Sequence, residues 1–125
     1  MQLTGQFQVE QWNETTDTSF EDGSKLNQAK IQQKYTGDIE GSSQVYYHLH
    51  YNDDVSSIFN GFEYIDGQIK GQSCQLVLKH NGQFKDGVAS SQFEVIKADG
   101  LAELLGKCGS FEAAIGGQAS YQIGV

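Results

Sequence analysis

The chain has no arginine, no proline and only two cysteines among its 125 residues, and each scarcity narrows what it can do. Without arginine there is no guanidinium fork to read guanine or grip phosphate. The 8 lysines face 16 acidic residues, for a formal net charge of −8. Nucleic-acid binding needs a basic stripe, so no nucleic-acid partner is expected, and acidity at this level serves solubility. Cys74 and Cys108 stand far apart without CxxC or Cys/His spacing and read as free thiols. Residues 1–7 offer neither a basic n-region nor an apolar h-region, and no apolar run approaches a membrane span. A cytoplasmic location with no membrane partner is the expectation. No Gly-x-Ser-x-Gly is present, Cys108 has only Lys107 beside it, and no Gly-rich run leads into a helix. Nucleophilic catalysis and phosphate cradling therefore have no motif, and no cofactor is expected.

What is present is glycine, 15 residues spread along the chain at near-regular turn signals, with 38% hydrophobic content. That is enough for one domain, residues 1–125, with a real core, and the pattern indicates an all-β fold and not disorder. The organising stretch runs from Gly61 to Gly87. It carries two Asp-Gly pairs, Asp66-Gly67 and Asp86-Gly87, each suited to a type I′ hairpin turn. A two-residue loop at Asp86-Gly87 sets Lys85 opposite Val88, Lys79 opposite Glu94, His80 opposite Phe93 and Leu78 opposite Val95. His80 then points inward with Leu76, Leu78 and Phe84, while Lys79, Asn81, Gln83 and Lys85 face out with Ser90, Gln92 and Glu94. A turn at Asp66-Gly67 pairs Ile65 with Gln68 and Glu63 with Lys70, placing Glu63 on the face of His80.

In chain order, Leu3, Gly5, Phe7 and Val9 alternate with polar residues as a half-buried strand. Residues 13–25 lose the alternation and read as the longest loop. Its carboxylates lack the calcium-loop spacing. Residues 26–39 alternate, with Ala29, Ile31, Gln33, Tyr35 and Ile39 on one side. A turn near Glu40-Gly41 leads to a strand Gln44–Tyr51, a turn at 52–54 and a strand Ser56–Ile65. Leu101–Leu105 is too short for more than about a turn of helix. Phe111, Ala113 and Ile115 mark a seventh strand, Gly116-Gly117 a turn, and Ala119 to Val125 the last strand. Residues 37–41 echo residues 67–71, and the alignment superimposes His50 on His80. Eight strands with short connections predict an antiparallel up-and-down β-barrel, filled by side chains or just able to hold one small ligand.

The segments Thr4–Val9, Tyr35–Gly41, Gly61–Glu63 and Leu76–Gly87 resemble an uncharacterised bacterial domain-of-unknown-function family with an allene oxide cyclase-like β-barrel. The resemblance covers nearly the whole chain. It implies the eight-stranded barrel and no established activity, because barrel shape does not transfer chemistry. The family pattern has apolar or small residues at His48 and His50 and Gly at Cys74, so a site built on those three would be peculiar to this protein.

The expected function is binding of a small apolar or aromatic molecule inside the barrel, against His80, Glu63, Phe93, Tyr47, Tyr51 and Gln33. Two alternatives stand beside it. Glu63 and His80 form the candidate catalytic pair of an isomerase or cyclase, since a carboxylate beside an imidazole in an apolar interior suits acid/base work. A purely structural, oligomerising module is the other. His48, His50 and His80 are the only candidate metal ligands, and no metal is expected. A Glu40-Gly41 turn pairs His48 with Gln33 and His50 with Ile31, pointing both inward, whereas the apolar stripe Val45, Tyr47, Leu49 and Tyr51 claims the interior for itself. Large apolar residues at both parities of Ile58–Tyr64 and Val45–Tyr51, including Tyr46, Phe62 and Tyr64, predict a homo-oligomer, most simply a dimer.

Overall fold

The computed structural model describes residues 2–113 and 117–124. Eight antiparallel strands each pair with the next: β1 Leu3–Ser19, β2 Lys25–Gly37, β3 Ile39–Asp53, β4 Ser56–Ile69, β5 Gln72–Lys85, β6 Val88–Asp99, β7 Cys108–Ala113 and β8 Gln118–Ile123. β8 returns to β1 over Leu3–Gln8 and closes the sheet into an up-and-down barrel. Ala102–Leu104 forms a 3-10 turn between β6 and β7. No helix among the described residues is long and apolar enough to cross a membrane. Cys74 is buried, Cys108 is exposed, and both are free thiols.

Asp86-Gly87 turns as its chemistry dictates, with φ of 56° and 79° at the two central residues, and every pairing drawn from it is present, from Lys85↔Val88 to Leu78↔Val95. Asp66-Gly67 does not turn. β4 runs straight through it, and the hairpin closes at Lys70-Gly71, where φ is 53° and 78°. The reason lies in Ile65 and Ile69, 0% and 2% exposed: a turn at Asp66-Gly67 would take Ile69 out of that strand, whereas the later turn keeps both in the core. Gly67 serves close approach instead. A Cβ there would lie 2.4 Å from the Glu40 carbonyl oxygen on the facing strand. Glu63 consequently pairs with Leu78 and not Lys70, and Ile65 pairs with Leu76 and not Gln68.

Three further expectations are corrected. Residues 13–19 are strand and not loop. β1 carries irregularities between Val9 and Gln11 and between Thr16 and Thr18, and each extra residue disrupts the alternation that marks a strand in sequence. Glu40-Gly41 lies inside β3, and the bend falls at Gly37-Asp38, where Gly37 has φ 100° and the Asp38 carboxylate accepts from the Thr4 amide at 2.8 Å. His48 therefore pairs with Gln28 and His50 with Leu26, so both project outward, and Val45, Tyr47 and Leu49 take the interior. The echo between residues 37–41 and 67–71 has no structural counterpart, since His50 faces out and His80 in. Of the Gly116-Gly117 turn and the strand around Ile115, residues 114–116 lie outside the described residues, as does Val125.

Because hairpins alternate ends, the barrel has a floor and a mouth. The floor holds the Gly37-Asp38 and Lys70-Gly71 turns and the 3-10 turn, and there Ile39, Ile69 and Leu104 are buried. The mouth holds the turns at 20–24, 54–55 and 86–87. β1 has 17 residues, and among the described residues its pairing with β8 covers Leu3–Gln8, with Val9 N donating to the Gly117 carbonyl at 2.8 Å, so its second half extends beyond that pairing. Inward positions at this end stay open: Val9, Tyr51, Ala89 and Ala113 are only partly buried, and Trp12 and Phe84 are 48% and 37% exposed.

Candidate functional site

Among the described residues, hydrogen-bonded polar side chains gather at mid-depth and at the mouth, apart from the separate Gln33 and Ser43 pair. At mid-depth β4 delivers Glu63 and β5 delivers His80, each 1% exposed. His80 Nε2 lies 2.7 Å from Glu63 Oε1, and His80 Nδ1 lies 2.8 Å from Ser91 Oγ. The Tyr35 hydroxyl donates to Glu63 Oε2 at 2.6 Å. Ser91 Oγ also has the Asn81 and Gln92 carbonyls at 3.2 and 3.3 Å. With an imidazolium, Nδ1–H donates to Ser91, Ser91 donates to a carbonyl, and Nε2–H donates to Glu63. With neutral imidazole, Ser91 donates to Nδ1 and Nε2–H still donates to the carboxylate. Either way no polar atom of the pair is left over.

Aromatic rings pack around this chain of hydrogen bonds. Phe93 lies 5.0 Å from the His80 ring, and Tyr47 and Phe111 meet it edge-on at 5.6 Å each. Phe7, Tyr35, Tyr121 and Phe111 continue the layer at 5.1–5.2 Å. Burial raises the Tyr35 and Tyr47 hydroxyls well above the usual phenol range, with the Glu63 charge adding to it, so both stay protonated donors.

At the mouth, β1 presents Trp12 and Glu14, β2 Lys25 and Asn27, and β3 Tyr51. Glu14 gathers three neutral donors: Trp12 Nε1 at 2.8 Å on Oε1, and Asn27 Nδ2 at 2.5 Å and the Tyr51 hydroxyl at 2.8 Å on Oε2. Partial burial works to raise its pKa, but the bonds from Asn27, Tyr51 and Trp12, with Lys25 nearby, outweigh it and lower the value. Burial and Glu14 together raise the Tyr51 hydroxyl. The Lys25 ammonium stands over the Tyr51 ring, 4.9 Å from its centre. On the inner wall just below, three buried atoms have no hydrogen-bond partner: Asn27 Oδ1, Ser57 Oγ and the Tyr47 hydroxyl.

Of the residues singled out in the sequence, His80, Glu63, Phe93 and Tyr47 come together at mid-depth. Gln33 is buried but separate, accepting from Ser43 Oγ at 3.3 Å. Tyr51 belongs to the mouth. His48 and His50 lie on the outer wall and do not join His80, and no group of metal-ligating side chains occurs among the described residues. Ser91 was legible by elimination, since its neighbours Ser90 and Gln92 were assigned outward. Trp12, Asn27 and Ser57 carry no signal in the sequence, and Glu14 stands out there only as one of the loop carboxylates weighed for calcium, because the bulge before it erases the alternation.

No curated protein matches this chain. A protein of unknown function from Shewanella oneidensis MR-1, a member of the DUF3224 family, has a similar solved structure, with a TM-score of 0.68 at 22% identity over 98% of this chain and 94% of that one. At that identity the likeness establishes the shared barrel alone. The family described as protein of unknown function (DUF3224) matches residues 3–124, and the chain belongs to that family.

Proposed function

We propose that this protein is a cytoplasmic binding barrel that takes one small apolar or aromatic molecule in its mouth, above the Tyr47 and His80 layer. The observation that carries this reading is the set of three unpartnered buried atoms, Asn27 Oδ1, Tyr47 hydroxyl and Ser57 Oγ, on three adjacent strands toward the end of the barrel where Trp12, Tyr51 and Phe84 are partly exposed. A buried polar group without a partner costs about 1–3 kcal/mol, so three together favour an occupant that satisfies them. Trp12, Tyr51 and Phe84 supply apolar surface, and the closed floor leaves the mouth as the route of entry. The isomerase or cyclase alternative needs a substrate atom against Glu63 or His80. Each of their polar atoms already has a protein partner at 2.6–2.8 Å, which favours a structural role for the pair.

Trp12 is the sole tryptophan and sits at the rim, so its emission is an intrinsic reporter. Titration with toluene and with benzyl alcohol is expected to shift that emission saturably. A response that stays linear to the solubility limit of both overturns the reading.

Self-association is a second proposal, carried by the outer wall. Lys30, Tyr46, Phe62 and Lys79 form one cross-strand row over β2–β5, with Tyr64 and Val77 in the next. Tyr46, Phe62 and Tyr64 are 46%, 51% and 44% exposed. These two rows, completed by Gln32 and Gln44, carry two lysines and no carboxylate in a chain of net charge −8, so two copies approach here against less repulsion than the net charge imposes.

A further inference from the structure

We propose that the mouth selects a cation, and that its ligand is an aromatic or apolar amine carrying a protonated ammonium group. This rests on the binding-barrel reading and adds the charge and hydrogen-bonding character of the occupant.

Asn27 fixes the polarity of the site. Its Nδ2 is committed to Glu14 Oε2, the only amide orientation a carboxylate tolerates, and the carbonyl end, Oδ1, is the atom left without a partner. Asn27 is 5% exposed, so water from the bulk does not satisfy that oxygen freely. A carbonyl oxygen accepts only, and the occupant has to bring an N–H or O–H donor. Ser57 Oγ and the Tyr47 hydroxyl oxygen, also without partners, can accept as well, so the orphan atoms of this wall suit a donor-rich occupant.

The electrostatics favour ammonium over hydroxyl. Glu14 is held by three neutral donors, and no described lysine forms an ion pair with it. The countercharge beside it is Lys25, which makes no direct ion pair with it. The mouth end adds Glu21 and Asp22 after β1, Asp53 at the end of β3 with Asp54 after it, and Asp86 after β5, against Lys25 and Lys85. This rim repels anions and concentrates cations at the entrance. The site also holds a cation already, since the Lys25 ammonium rests on the Tyr51 face beside Glu14. Lysine tethered there is a stand-in for a free amine, and its long stem lets it swing into solvent when one arrives.

The experiment compares four probes of one size, benzylammonium, benzyl alcohol, toluene and benzoate, by Trp12 emission on the intact protein. Benzylammonium is expected to bind at least about tenfold more tightly than benzyl alcohol, with the advantage shrinking as salt is added, and benzoate least of all. Glu14→Gln should remove the advantage of benzylammonium over benzyl alcohol. Lys25→Met should increase benzylammonium affinity by vacating the Tyr51 face, a gain that misfolding cannot mimic. Equal binding of benzylammonium, benzyl alcohol and toluene overturns the cation proposal and leaves the binding-barrel reading standing. No binding by any probe overturns both.

Discussion

Replacing His80 by Phe is the sharpest probe of the mid-depth network. Phe keeps an aromatic ring among Tyr47, Phe93 and Phe111 but deletes both ring nitrogens. Ser91 is little affected, because the Asn81 and Gln92 carbonyls remain within reach of its hydroxyl. Glu63 is not. It is 1% exposed and would keep only the Tyr35 hydroxyl, leaving a buried carboxylate without its cationic or N–H partner. Breaking a buried pair from one side costs about 3–5 kcal/mol. For a domain of this length that is a fall in melting temperature of roughly 10–25 °C. The His80→Phe, Glu63→Leu double variant removes both ends of the bond and orphans only the Tyr35 hydroxyl, at about 1–3 kcal/mol. The second substitution should therefore stabilise the first. Urea unfolding at pH 7, with unchanged m-values, reads all the states of the cycle. A double variant as unstable as the sum of the single ones would mean that Glu63 and His80 do not depend on each other, and the network argument would fail.

Glu14 has a depressed pKa in the fold, so its contribution is present above the unfolded carboxylate value near 4.3 and is lost as pH falls through the lower folded value; Glu14→Gln should flatten that part of an acid-unfolding profile. Light scattering should give a mass above that of one chain, and Phe62→Lys on the outer wall should lower it toward monomer; a monomer at every concentration removes the self-association proposal. Chelator treatment should leave the melting temperature unchanged, since His48 and His50 face away from His80; a shift of several degrees would revive a metal site. Gly71→Ala, at φ 78° with open space around it, should cost about 1 kcal/mol, whereas Gly67→Ala should cost several times more because its Cβ meets backbone; the reverse order in thermal melts would put the hairpin back at Asp66-Gly67.

How much was legible in the sequence turns on parity. The wrong turn at Asp66-Gly67 moved the partner of Glu63 from Leu78 to Lys70, eight residues along the chain, and an even displacement leaves every face as it was. Glu63 was therefore placed beside His80 for a pairing that does not exist. The wrong turn at Glu40-Gly41 moved the partner of His48 from Gln28 to Gln33, five residues, and an odd displacement inverts the strand. Only the stripe Val45, Tyr47, Leu49 and Tyr51 spoke for the true orientation, because burial free energy over four large side chains exceeds what one turn dipeptide contributes. Turn signals locate hairpins to within a few residues, and the apolar stripe decides the face.

The same physics hid the mouth. A bulge is invisible in a sequence except as a lapse of alternation, and in β1 the lapse begins just before Trp12 and Glu14. Read as a loop, residues 13–25 have no inside or outside, so their carboxylates suggest calcium, and Trp12 just before them suggests nothing. Read as a strand shifted by one residue, it turns Trp12 and Glu14 toward Ile31 and Ala29 on the barrel's inner face. The consequence is functional. Floor and middle are filled, by Leu104 below and by the Ser91, His80, Glu63 and Tyr35 chain above it, and every polar atom of the Glu63 and His80 pair is matched inside the protein. Among the described residues, the unmatched buried side-chain atoms lie toward the end where β1 extends past its pairing with β8, which is why the proposed site is put there and not at the Glu63 and His80 pair.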